Sequence, residues 1–129
     1  MRFRVIACLA AALCAAAAGQ SFAHHSMSAY EFFSTTIEGS VVEFKFVNPH
    51  ALLVVQSGKE TWHLDGDPPA MLDRAGFGPA TFHPGDKIKL QVQRLKNGKP
   101  GGFWDIRTVI TVNGQPFAGH QCVISREPC

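Results

Sequence analysis

The chain has 129 residues, with twelve Lys and Arg against ten Asp and Glu, a formal net charge of +2 at pH 7. That length suits one small domain. A balance so close to neutral excludes a general binder of nucleic acid or anionic membrane, which needs a large positive excess to neutralise phosphates.

Arg2 and Arg4 precede an almost unbroken apolar run from Val5 to Ala18, and Ser21 and Ala23 take the small-residue positions of a signal-peptidase site. The run is short for a membrane span and has the flanks of a leader, so residues 1–23 read as a secretory signal removed after Ala23. The expected product is periplasmic or secreted, with no stable membrane insertion after cleavage. Removing 23 of the 129 residues leaves 106 and takes away Arg2 and Arg4 but no acidic residue. All six histidines survive, a high density for so short a chain.

Cleavage there makes His24 the first residue. Its α-amine and imidazole form a ready chelate, and an α-amine pKa of about 7.7 lets a metal displace the proton at neutral pH. With a second imidazole this is the histidine brace of copper proteins. Cleavage one residue earlier would leave Ala23-His24-His25, the amino-terminal Cu(II)/Ni(II) motif, but would place Phe22 at −1. Residues 24–34 are expected as an arm ahead of the folded unit.

From there the chain shows no long stretch at helical period and reads as short strands between turn signals. The first strand is expected from about Thr35 to Val47, with Val42, Phe44 and Phe46 facing one way and Val41, Glu43, Lys45 and Val47 the other. Ile37 falls in the opposite phase, which places a bulge or bend near Gly39-Ser40. Asn48-Pro49 gives a tight turn, Ala51 to Gln56 a second strand, Ser57-Gly58 a two-residue hairpin turn, and Glu60 to Leu64 a third strand.

Asp65-Gly66-Asp67 ends this meander, and Pro68 to Ala75 is expected as one or two helical turns, capped by Asp67 with Pro68 first. After the His83-Pro84-Gly85-Asp86 turn, Lys87 to Leu95 alternates with Ile88, Leu90 and Val92 inward. Asn97 to Gly102 reads as a hairpin tip, and Phe103 to Val112 as the fifth strand. This order predicts an all-β, OB-fold-like five-stranded barrel over residues 35–117, with a short helix between strands 3 and 4. A small β-sandwich is the alternative.

The Ser57-Gly58 turn would pair Leu52 with His63 and His50 with Asp65. Leu53, Val55, Trp62 and Leu64 then share the core face with Val42, Phe44 and Phe46. Glu43, Lys45, Leu52, Val54, Thr61, His63, Asp65 and His50 share the other. A slip of two residues would leave those faces unchanged. On this reading His50 and His63 lie diagonally, roughly 7–8 Å apart at the backbone, with Asp65 as a supporting neighbour.

The arm before the first strand is long enough to fold back onto that face. The expected metal ligands are therefore His24, His25, His50 and His63. Copper suits such nitrogen-rich ligation, with zinc or nickel as alternatives. Adjacent histidines at a terminus are also often simply solvated, and His83 and His120 read as turn and tail residues. Asp65-Gly66-Asp67 lacks the ligand series of a calcium loop.

Residues 118–129 form a tail with Cys122 and Cys129. An even pair in an exported chain is expected as a disulfide closing a short loop, the alternative being His120 and Cys122 as soft metal ligands. The sequence has no Gly-x-Ser-x-Gly elbow, no phosphate-cradling loop and no nucleophilic cysteine after the leader, so no catalytic residue is assigned.

Taken in order, His24-His25-Ser26, Gly39-Ser40-Val41-Val42, Val47-Asn48-Pro49-His50-Ala51, Trp62, Gly66, Pro69, Leu72, Arg74, Gly76, Pro84-Gly85-Asp86 and Asn113-Gly114 resemble the bacterial exported family of unknown function DUF6152. The resemblance spans about residues 24–117. It implies a periplasmic OB-like barrel, singles out the double histidine and the Asn-Pro-His turn, and brings no established activity with it. His63, where the family pattern calls for an apolar or small residue, and the tail from Ala118 depart from that pattern. Three readings follow: a barrel that binds a transition metal through His24 and His50; a module whose face around Lys45, Leu52, Val54 and Thr61 takes a small ligand or another envelope protein; and a copper-dependent oxidoreductase.

Overall fold

The computed structural model describes residues 27–117. A short 3-10 turn at Met27–Ala29 leads into β1 (Tyr30–Lys45), β2 (Leu52–Ser57), β3 (Glu60–Gly66), helix α1 (Pro69–Arg74), β4 (Lys87–Leu95), β5 (Gly101–Trp104), β6 (Ile110–Val112) and β7 (Gln115–Pro116). β1 is antiparallel to β2 through its second half and to β4 through its first. β3 runs parallel to β5, and β5 pairs antiparallel with β4. The circuit β1-β2-β3-β5-β4-β1 is closed, with the short helix between strands 3 and 4, as expected for an OB-like barrel. Among the described residues no helix is long and apolar enough to cross a membrane.

Alternation decides the interior. Leu53, Val55, Trp62 and Leu64 are buried from the β2–β3 hairpin, and Ile88, Leu90 and Val92 from β4. The loop after α1 adds Phe77 and Phe82, which meet Trp104 with ring centroids 5.4 and 6.2 Å apart. Phe44 and Phe46 pack against this core, as expected, but Val42 does not: it is 48% exposed. The bulge accounts for the difference. It falls between Val41 and Glu43 rather than near Gly39-Ser40, so the extra residue is Val42. Ile37 and Val41 face inward before it and Phe44 after it, which reconciles their opposite phases.

Other boundaries shift for local reasons. β1 begins at Tyr30, which pairs with Leu95, five residues before Thr35. The β2–β3 turn is Gly58-Lys59, with Ser57 opposite Glu60. Gly58 has φ +58°, so it takes the first central position, where a type II′ hairpin wants glycine. The Asn48–Pro49 peptide is cis. Helix α1 starts at Pro69 after Pro68, with no side-chain cap; Asp67 is committed elsewhere, as described below.

The expected fifth strand is two. Gly101 and Gly102 belong to β5 rather than to a hairpin tip, and a Cβ on Gly102 would come within 2.8 Å of Gln93 O. The chain then turns at Asp105, whose N–H donates to Thr108 Oγ1 and whose Oδ1 accepts from Arg107 N–H, before resuming as β6.

The Pro84-Gly85-Asp86 turn is bonded to β1 at the bulge: Gly85 N–H donates to Val41 O at 2.8 Å, and Val41 N–H to Asp86 O at 2.9 Å. The Asp86 carboxylate accepts from His83 N–H at 2.8 Å and from the Asn113 amide at 2.9 Å. These bonds, His83 N–H foremost, hold its carboxyl below the usual range. A carboxyl depressed on folding contributes stability that is full above its unfolded pKa of about 3.9 and lost as pH falls through the folded value. The stability gap between the native chain and Asp86→Asn should be constant from neutrality down to about pH 5 and close below about pH 4. Urea midpoints across that range test this; an undiminished gap at the acid end would refute it.

Candidate functional site

His50 is positioned by the backbone where β2 meets the end of β3. Gly66 N–H donates to Ala51 O at 2.7 Å and Ala51 N–H to Asp67 O at 3.3 Å. The preceding residue is thereby held against the strand end, with His50 Nδ1 3.1 Å from Gly66 O. A carbonyl oxygen can only accept, so the bond requires the proton on Nδ1 and leaves the Nε2 lone pair available.

The acidic residue that follows the carbonyl holding His50 is Asp67. Its half-buried carboxylate accepts from Ile106 N–H at 3.0 Å. Burial pushes its carboxyl above the usual range, and the Asp105 charge adds to that; the Ile106 bond, Arg107 and His50 oppose it. An ionised Asp67 therefore costs stability near neutral pH, and a cation beside it would offset that cost. Asp67 and Asp105 are neighbours because β3 and β5 are parallel, with Asp65 opposite Phe103 and Gly66 opposite Trp104.

Asp105 in turn holds Arg107, Nη2 to Oδ2 at 2.7 Å. A cavity of about 370 Å³ opens here, lined by Met27, Asp67, Met71, Phe103, Asp105 and Arg107. A second groove of about 210 Å³ shares Phe103, Asp105 and Arg107 and continues over Ser34, Gln91 and Gln93.

The expected pairing of His50 with Asp65 and of Leu52 with His63 is corrected. Leu52 lies opposite Asp65 and Val54 opposite His63, because the turn sits one residue later and moves the register by two. The faces survive this slip; the neighbours do not. His63 is exposed and lies three residues before Gly66, roughly 10 Å along the strand from the carbonyl that holds His50. The structure does not bring those two imidazoles together.

Asp65 is engaged by Tyr30, whose hydroxyl donates to Oδ2 at 2.9 Å. Burial and the Asp65 carboxylate hold that phenol well above its ordinary range. On the alternative face Lys45 and Thr61 are exposed and Leu52 is half-buried, but Val54 is only 5% exposed. His83 is a turn residue, its backbone bonded to Asp86.

His24, His25, Cys122 and Cys129 lie outside the described residues. Among the described residues no group of three or more His, Cys, Asp or Glu converges on a metal position. Sequence reasoning missed Tyr30, Asp105 and Arg107, and it assigned Asp67 to a helix cap. No spacing rule links Asp67 to Asp105; a parallel strand pairing does.

Comparison with curated proteins and with solved structures finds no match. A family model matches residues 11–115, most of the chain, and this protein belongs to that family of unknown function, DUF6152.

Proposed function

We propose that this is an exported metal-binding barrel whose site is completed by its processed N-terminus. The His24 α-amine and imidazole chelate one ion, copper before zinc or nickel, and His50 Nε2 adds a third nitrogen. The observation that carries this reading is the bond from His50 Nδ1 to Gly66 O. A histidine ligand commonly donates its other ring N–H to a carbonyl or carboxylate, which fixes tautomer and orientation.

Placement of the chain supports it. Met27 lines the same cavity as Asp67, the residue that follows the carbonyl bonded to His50. His24 is three residues before Met27, a reach of up to about 10 Å. With Asp105 paired to Arg107, it is ionised Asp67 whose charge favours a cation at this end of the barrel.

The test is a Cu(II) titration of protein whose intact mass shows that it begins at His24. One equivalent should bind with an EPR spectrum of nitrogen ligation. His50→Ala should weaken binding at least tenfold, and a single Met placed before His24 should abolish the chelate with every side chain intact. A spectrum unchanged by His24→Ala removes the proposal. The same mass reports whether Cys122 and Cys129 are joined.

A further inference from the structure

Read from His24 onward, the sequence contains two methionines, Met27 and Met71. Both line the one cavity of about 370 Å³ beside Asp67. Met27 comes from the turn before β1 and Met71 from within α1, so the fold, not their spacing in sequence, brings them to a common space. Neither belongs to the hydrophobic core, and they are 56% and 43% exposed. Thioethers left this open contribute little to packing.

The cavity wall adds the carboxylates of Asp67 and Asp105, while the guanidinium of Arg107 is taken up by Asp105 at 2.7 Å. Thioether sulfur is a soft donor that selects Cu(I) over harder ions. The carboxylates supply negative charge, which favours any cation, rather than soft bonds. We infer that Met27 and Met71 are a thioether pair that binds a soft monovalent ion, Cu(I), at the end of the barrel where His50 stands. The inference rests on the copper reading above for its cargo, but it concerns another oxidation state and other ligands.

Leucine replaces methionine with little change of volume, so Met27→Leu/Met71→Leu should keep the fold, checked by its thermal unfolding. Cu(I) affinity is measured by competition with a chromophoric Cu(I) chelator. Ag(I), a redox-inert substitute, is followed through the methionine methyl resonances.

One equivalent of Ag(I) should shift both methyl signals, and the double variant should lose at least tenfold in Cu(I) affinity while its Cu(II) spectrum stays the same. Methyl signals unmoved by Ag(I), or an unchanged Cu(I) affinity in the leucine variant, overturn the inference. If His24→Ala abolishes Cu(II) binding while the leucine variant keeps its Cu(I) affinity, the thioether site falls alone. If the leucine variant loses Cu(I) while Cu(II) is indifferent to His24, the thioether site stands and the histidine reading falls.

Discussion

Trp104→Ala is expected to destabilise the barrel by about 3–5 kcal/mol, the range for deleting a large buried aromatic side chain. Trp104 is 1% exposed and sits where three elements meet. It comes from β5, faces Phe77 at 5.4 Å and Phe82 at 6.2 Å, and lies against Gly66 of β3, where a Cβ would come within 2.7 Å of its ring. Phe77 also stacks on Phe117 at 4.3 Å and Phe82 meets Phe44 edge-on at 5.0 Å. Removing the indole empties the centre of this cluster, and the closed sheet around it leaves little freedom to collapse into the space.

Domains of this size are stable by only about 5–15 kcal/mol, so the loss is a large fraction of the whole. Urea unfolding followed by far-ultraviolet circular dichroism reads it without depending on tryptophan fluorescence. Trp104→Phe keeps a ring in place and should cost clearly less. A Trp104→Ala midpoint equal to the native one would show that this end of the barrel does not carry its stability.

The second large effect is expected at Gly39. A Cβ there would overlap Gln56 O and lie 2.7 Å from Val55 Cγ1. The first of these is backbone of the partner strand, so no rotamer relieves it. The position is also where β1 exchanges partners: Gly39 pairs with Ile88 of β4, and the next residue, Ser40, pairs with both Lys87 and Gln56. Closing the barrel requires β1 to pass this close to β2. Gly39→Ala should therefore cost at or beyond the upper end of the roughly 1–3 kcal/mol typical of overpacking. Gly78→Ala, with nothing within 4 Å of the added carbon, is the control and should stay within about 0.5 kcal/mol of the native chain. Equal midpoints for the two variants would contradict the close approach.

The contrast between prediction and structure is sharpest along β1 and β3. That Leu53, Val55, Trp62, Leu64, Ile88, Leu90 and Val92 would face inward was legible, because alternation along an extended strand relates consecutive residues. The opposite phases of Ile37 and Phe44 also announced a bulge. Its position at Val42 was not legible: it depends on the Pro84-Gly85-Asp86 turn bonding to Val41 from more than forty residues away. Likewise the glycine of the hairpin was visible, while the choice of Gly58-Lys59 over Ser57-Gly58 moved His50 from Asp65 to the neighbourhood of Asp67.

What the sequence determined by itself was the class of fold, the order of its strands, the short helix between the third and fourth, and most of its inward faces. These follow from local backbone preference and a two-residue period, which neighbouring side chains express without the rest of the molecule. Only the tertiary structure decided which groups share the open end of the barrel. Asp67 comes beside Asp105 through a parallel pairing, and Met27 and Met71 come to line one cavity. Each brings distant segments to one place, which follows from the closed fold rather than from any spacing along the chain.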